Sequence, residues 1–383
     1  MMSPAMNILS AFFILLFSAS LYSANAESLP KPPIVTAASH ALYDERSGQF
    51  LLEKSGDARR EPASLTKLMT AYVVFDALRR GDLSLDETLT VPASALRQNG
   101  GEARMLLKQD QSVSVDDLLK GLIVQSASDA ALTLAAHLGG EADFVRQMND
   151  KARQLGLSST RFGNPVGWPE AGHYTTAHDL ALLSGALLRD FPQHYGLFSQ
   201  REFTFNNITQ SNANRLLWID PYADGLKTGY SRSAGYCLAG SAKRGNRRLI
   251  SIVLGAQSES LRATESQALL NYGFQHFDAV RLYGKNQAVT RLRLWKGTEN
   301  TIAIGFRTDR FVALPKGQLA KLKATVETRQ PVLAPVSAGQ PLGELKLTLN
   351  GEPYARFPLV ALESVPLANV FSRGWDSIQL LFR

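Results

Sequence analysis

Residues 224 to 256, "DGLKTGYSRSAGYCLAGSAKRGNRRLISIVLGA", constrain the fold of this chain more than any other stretch. Three runs, "DGLKTGY", "GYCLAGSAKR" and "RRLISIVLGA", alternate or run apolar, and "SRSA" and Gly245-Asn246 separate them, the pattern of an antiparallel meander. Far upstream, "SHALYDERSGQFLLEKS" reads as two more strands around Arg46-Ser47-Gly48. Between these ends the period is helical. Leu65, Leu68, Met69, Tyr72 and Val73 recur at i, i+3, i+4, i+7 and i+8, and Gly81 closes that run. Residues 114 to 139 carry further helical pattern broken around "QSASD", residues 179 to 188 carry a third helix, and after the meander residues 259 to 277 revert to helix. Strands at both ends with helices between predict an α+β fold, an antiparallel sheet flanked by helices.

Beyond about residue 281 the runs shorten to "AVTRLRLW", "NTIAIGF", "RFVALP" and "GELKLTLNG", punctuated by Gly and Pro, which predicts a small all-β domain after the α+β one. At the other end, "MMSPAMNILSAFFILLFSASLYSANA" has an apolar core, Ile8 to Phe17, and a small-residue Ala24-Asn25-Ala26 end, read as a cleaved secretory signal. The expected division is therefore signal peptide 1–26, catalytic domain 27–280, β-rich domain 281–363 and tail 364–383. The single Cys237 excludes an internal disulfide framework, and the six His show no HExxH spacing, so neither a metal nor another cofactor is expected. Of the net charge of +7, the segment from Arg281 onward holds fifteen Lys and Arg against seven Asp and Glu. An exported chain with a basic C-terminal third suits an anionic membrane or wall polymer better than nucleic acid, which is not expected as a partner.

The stretch "ASLTKLMT" places Ser64 three residues before Lys67 at the head of the first helical run. Residues at i and i+3 share a helix face, so a lysine amine can serve as base to the serine hydroxyl, and the helix N-terminus offers backbone N–H groups to an incoming carbonyl. Taken alone, the pair is as well explained by an N-cap beside a solvated lysine. "KTG", Lys227 to Gly229, sits on a predicted strand and can present a cation, a hydroxyl and an open backbone edge to an extended ligand. "SASD", Ser126 to Asp129, breaks two helical runs where a hydroxyl can protrude.

In this order the three elements resemble the penicillin-interacting serine acyl-transferases. "EPASLTKLMTAYVVF", "LLKGLIVQSASDAALTLA", "FGNPVGWPEAGHYTTAHDLALL" and the meander closely resemble the low-molecular-mass serine-type D-alanyl-D-alanine carboxypeptidases, peptidase family S11, over nearly all of residues 34 to 275. The β-rich region and amphipathic end resemble those of the same family.

That resemblance implies a reaction in which Ser64 attacks the carbonyl between two terminal D-alanines of a peptidoglycan stem peptide, D-alanine leaves, and water hydrolyses the acyl-enzyme. β-Lactams would acylate the same hydroxyl. Lys67 would be the base, which needs its pKa lowered from about 10.4 to near 7, on the order of 4 to 5 kcal/mol, from burial and a neighbouring cation, for which Lys227 is the candidate. Ser126 would relay the proton to the leaving amine, Lys227 and Thr228 would hold the terminal carboxylate beside Gly229, and the oxyanion would lie between the N–H groups of Ser64 and Tyr230. Two positions depart from the family's pattern. Ser128 stands where relatives usually carry Asn, which bears on a substrate contact and on the orientation of Lys67. "NANRLLW" has Ala213 where relatives often carry Arg, and Arg215 is the expected substitute carboxylate binder, on the ground that i and i+2 share a strand face. His173 is expected in a structural hydrogen bond, Asp179 as a helix cap or brace, and Cys237 as a small buried hydrophobe.

At 100° per residue, Leu367, Val370, Phe371, Trp375, Ile378, Leu381 and Phe382 fall on one arc of the C-terminal segment, and Asn369, Ser372, Arg373, Asp376, Gln379 and Arg383 fall opposite. The expected site of action is the periplasm, with this tail lying on the outer face of the inner membrane. Two rivals remain at this point: a β-lactamase of the same fold, whose usual Glu-Asn pattern is not matched around Glu170, and a catalytically weakened wall-binding protein, motivated by Ser128.

Overall fold

In a computed structural model the meander is three adjacent strands, Ala223–Ser231, Gly235–Arg244 and Arg247–Ala256. The structure describes residues 31–98 and 101–381, so the expected signal stretch and the last two residues of the tail lie outside the described residues. The upstream strands Ser39–Asp44 and Gln49–Lys54 complete the sheet, with Ser39–Asp44 paired against Arg247–Ala256. All four pairings in this five-stranded sheet are antiparallel, and residues far apart in sequence lie side by side within it. Gly48 supplies the positive φ, 73°, at the first hairpin turn.

Eight helices are described: α1 (Lys67–Arg80), α2 (Val115–Ile123), α3 (Ser128–His137), α4 (Glu141–Gln154), α5 (Ala177–Asp190), the single turn α6 (Leu216–Ile219), α7 (Glu259–His276) and α8 (Val370–Leu381). Their starts follow local chemistry: the hydroxyls of Ser114, Thr176 and Ser258 accept the third backbone N–H of α2, α5 and α7. α1 ends at Gly81 in the left-handed region, φ 80°. α1 is buried from Lys67 through Ala77, so it runs through the interior, with Phe75 against Phe191 and Phe198. Each fully buried side chain such as Leu68, Met69 or Phe75 contributes roughly 1.5–3 kcal/mol. The helix begins two residues later than the periodicity predicts, because Ala63–Thr66 tighten into a 3-10 turn entered by Ala63 at φ 46°.

Strand Phe277–Tyr283 follows α7 directly and pairs with Arg310–Pro315, so the change to β structure comes at 277. A six-stranded sheet follows, in the order Leu322–Thr328, Pro341–Leu349, Glu352–Ala361, Thr301–Gly305, Ala288–Trp295, Val332–Leu333. Its own core includes Ile302, Ile304, Val312, Leu345, Leu347 and Leu359. Gln49 accepts the Ala313 N–H at 2.7 Å and Arg46 stacks on Phe311, tying the first hairpin of the five-stranded sheet to the strand Arg310–Pro315.

α8 lies on this β region by its polar side: Asp376 accepts the Lys296 N–H and Gln379 accepts from Arg293 at 2.9 Å. The opposite side faces solvent, with Phe371 90% and Trp375 64% exposed beside Val370 and Ile378. No helix among the described residues is long and apolar enough to cross a membrane.

Candidate active site

The 3-10 turn carries Ser64 at the edge of a cleft of about 750 Å³, and the first residue of α1, Lys67, lines the same cleft. One helical turn brings Lys67 Nζ to 3.2 Å from Ser64 Oγ. Two further groups fix the amine: Ser128 Oγ at 3.3 Å and the Val166 carbonyl at 3.2 Å. Lys67 is only 2% exposed, and burial lowers its pKa to about 7, with Glu102 and Asp129 pulling the other way. A neutral amine has two hydrogens and one lone pair. With the hydrogens on Val166 and Ser128, the lone pair is left for the Ser64 hydroxyl, an arrangement able to take its proton.

Ser126 and Ser128 come from the break between α2 and α3. Ser126 sits in the left-handed region at φ 61°, a conformation that costs a non-glycine residue on the order of 1–2 kcal/mol, and lines the cleft. Ser128 opens α3; the shorter hydroxyl at this position reaches Lys67 itself. Buried Asp129 accepts the N–H groups of Met105 (3.0 Å) and Leu107 (3.1 Å), and Ser128 N–H donates to Ala103 at 2.9 Å, so the break is fastened to the segment that places Glu102 on the cleft wall.

The strand Ala223–Ser231 forms the facing wall through Thr228, Gly229 and Tyr230. A Cβ on Gly229 would lie 3.1 Å from both the Pro62 carbonyl and Ser64 N, so a side chain here would press on the turn that carries the nucleophile. The start of the strand is fixed by an ion pair, Asp224 with Arg248, at 2.5 Å. Lys227 is buried behind the lining residues, its Nζ donating to the Thr228 carbonyl at 3.1 Å. Its pKa lies well below the ordinary lysine value, first from burial and then from the Lys67 and Arg262 cations. The coupling between the two lysines is thus expressed on Lys227, while burial alone lowers Lys67.

Arg215 does not take the place expected of it. It is exposed, it precedes the turn α6 and it is not among the residues lining the cleft. The expectation assumed a strand, whereas Asn212 and Asn214 accept the N–H groups two residues ahead and coil the chain into α6. A residue singled out by nothing in the sequence lines the cleft instead: Arg262 of α7, whose guanidinium donates to the carbonyls of Gly229 (3.2 Å) and Ala213 (3.3 Å). It looks like any helical surface arginine until the fold packs α7 on the strands Gly235–Arg244 and Arg247–Ala256, from where the side chain reaches the KTG strand.

His173 is buried and hydrogen-bonded, with Nε2 2.9 Å from Thr66 Oγ1 and a pKa lowered by burial to about 4. Asp179 accepts from Ser159 N–H and Thr160 Oγ1 at 2.9 and 2.6 Å, bracing α5. Cys237, paired opposite Gly229, is buried and its thiol is pushed up to about 11.

A family model described as D-alanyl-D-alanine carboxypeptidase (peptidase S11) matches residues 26–258, and one described as penicillin-binding protein 5, C-terminal domain, matches residues 277–367. The chain is 39% identical over 377 residues to the D-alanyl-D-alanine carboxypeptidase DacC of Escherichia coli (strain K12), covering 97% of this chain and 94% of that protein. Its structure is similar to penicillin binding protein 5 from Haemophilus influenzae, with a TM-score of 0.82 and 36% identity, over 88% of this chain and 99% of that one. It is also similar to Penicillin-Binding Protein D2 from Listeria monocytogenes in the ampicillin-bound form, with a TM-score of 0.59 and 35% identity, over 64% of this chain and 100% of that one. The chain therefore belongs to the D-alanyl-D-alanine carboxypeptidases of peptidase family S11 and is a serine-type hydrolase.

Proposed function

We propose that the chain releases the terminal D-alanine from peptidoglycan pentapeptide stems through an acyl-enzyme on Ser64, and that β-lactams acylate the same oxygen. The observation that carries this reading is the placement of Lys67 Nζ, held by Val166 and Ser128 and 3.2 Å from Ser64 Oγ. In the first step Lys67 takes the Ser64 proton as Oγ bonds to the carbonyl carbon, and the oxyanion meets the N–H groups of Ser64 and Tyr230. The C–N bond then breaks while the proton on Lys67 moves through the Ser126 hydroxyl to the departing amine, which leaves Lys67 neutral again. Water next cleaves the ester with Lys67 as base. The terminal carboxylate docks on Thr228, with the Arg262 guanidinium beside it and the amine of Lys227 buried behind.

A β-lactamase reading is disfavoured because Glu170 is exposed and outside the cleft lining. The test compares peptide and lactam turnover. A peptide ending in D-Ala-D-Ala is expected to lose D-alanine catalytically, its C-terminal amide to be a poor substrate by about 10-fold or more, and a fluorescent penicillin to label Ser64 stoichiometrically. Rapid turnover of nitrocefin without D-alanine release is the result that would overturn the proposal.

The proposed organisation is a signal peptide, the catalytic domain, the β-rich domain and a tail that lies on the outer face of the inner membrane in the periplasm. What supports the last part is α8, whose apolar side is exposed while its polar side is tied to the β region. Replacing Phe371 and Trp375 together by Ser is expected to release the mature protein from anionic lipid vesicles in a sedimentation assay. Undiminished vesicle binding would contradict the tail's proposed role.

A further inference from the structure

Residues 164–170 supply Val166, Gly167, Trp168 and Pro169 to the cleft, and the shape of this loop is set from inside by one side chain. Asn164 Oδ1 accepts the backbone N–H groups of Val166 (3.3 Å), Gly167 (2.8 Å) and Trp168 (3.0 Å). Its Nδ2 faces three acceptors, the Trp168 carbonyl at 3.0 Å, Glu170 Oε2 at 3.1 Å and His173 Nδ1 at 3.3 Å. Donors gather on one side of the amide and acceptors on the other, which settles its orientation. It also settles the histidine tautomer: with Nδ1 accepting, Nε2 carries the hydrogen and donates to Thr66 Oγ1 at 2.9 Å.

The loop is thereby fastened to the start of α1. Thr66 immediately precedes Lys67, and Thr70, one residue short of a full turn beyond it, donates to the Pro165 carbonyl at 2.6 Å. Gly167, at φ 94°, lies so close to the turn before Ser64 that a Cβ on it would come 1.9 Å from the Ala63 carbonyl. We infer that Asn164 is a positioning residue for Lys67: by gathering the 164–168 turn it holds the Val166 carbonyl on the amine and shields the amine from water. This inference rests on the roles proposed above for Ser64 and Lys67.

Losing the amide frees three backbone N–H groups and the carbonyl of Trp168 at once, and the loop then opens to water. Hydration favours the ammonium form of Lys67, whose titratable neighbours are Glu102 and Asp129 on one wall and Lys227 on the strand side. Acylation by a fluorescent penicillin, followed from about pH 5 to about pH 10 on the full mature chain, reads this directly. For Asn164→Ala the rate at neutral pH is expected to fall about 100-fold, with its rising pH limb displaced upward by roughly one unit. Asn164→Asp keeps an oxygen for the three N–H groups but loses the donors and sets a carboxylate against Glu170 Oε2, whose added charge also favours the ammonium form of Lys67, so a smaller fall with the same direction of displacement is expected. Thermal melting shows which variants fold, and Asn164→Asp carries the test if Asn164→Ala does not. Folded variants that acylate within about threefold of wild type at every pH, or that slow equally at every pH with an unmoved limb, overturn the inference. Ser64→Ala runs beside them: labelling of that variant at the wild-type rate would instead remove the site reading itself.

Discussion

Lys67→Met is expected to slow acylation of Ser64 by about 10²- to 10⁴-fold while making the folded protein more stable at neutral pH. The first effect follows from removing the proton acceptor 3.2 Å from Ser64 Oγ. The second follows from the work of burying an amine. With the Lys67 pKa lowered from 10.5 to about 7 in the folded chain, the unfolded chain binds the extra proton between those values. Stability from this group therefore rises with pH through that window; the cost is fully present below about 7 and gone above 10.5. The difference of about 3.5 units is roughly 4–5 kcal/mol. Methionine fills similar space without the charge, and against that gain it deprives Val166 and Ser128 of a donor at about 1 kcal/mol each. Urea unfolding near neutral pH should show the variant ahead, with its lead shrinking as pH rises toward 10.5. A wild-type protein more stable than the variant at neutral pH would show that the lysine is not held uncharged.

Gly229→Val is expected to be nearly as damaging, for a steric reason. The position of a Cβ on Gly229 is 3.1 Å from Pro62 O and Ser64 N and 3.2 Å from Leu65 N, all backbone atoms of the turn that carries the nucleophile. Valine adds two methyl groups beyond that point, so the strand and the turn must separate. A shift of about 1 Å misaligns Ser64 with the proposed oxyanion donors, and a loss of about 100-fold in acylation is expected, with about 1–3 kcal/mol of overpacking. Gly229→Ala should fall between, since its neighbours need yield only a few tenths of an ångström. Penicillin-labelling rates and melting temperatures of the two variants check both parts, and wild-type labelling by the valine variant would mean that the strand does not abut the nucleophile.

The sheet was legible because period-two runs and turn residues lie next to one another in sequence, from "DGLKTGY" to "RRLISIVLGA". Ser64 and Lys67 were legible for the same reason, since their contact is set by one helical turn. What was not legible depends on contacts between distant segments. α4 buries only Phe144, Met148 and Ala152 of its fourteen residues, and the strands Leu322–Thr328 and Glu352–Ala361 are exposed over much of their length, so each offers few apolar positions to read. Arg262 reaches the cleft only because α7 packs on the strands Gly235–Arg244 and Arg247–Ala256 beside the KTG strand, whereas Arg215 was misplaced by reading a segment coiled by asparagine side chains as extended. Ser128 was read as bearing on the orientation of Lys67; its short hydroxyl meets the amine because it opens α3 directly beside it. The expected cation effect was also turned around: Lys227 feels the charges of Lys67 and Arg262, whereas burial alone lowers Lys67.

The uncharged state of Lys67 is tested most directly by following its Nζ nitrogen in selectively ¹⁵N-labelled lysine by NMR across pH, with Lys67→Met identifying the resonance. Half-protonation near 7 is the expected result. A titration at the ordinary lysine value of 10.5 would contradict the assignment of this amine as the base that activates Ser64.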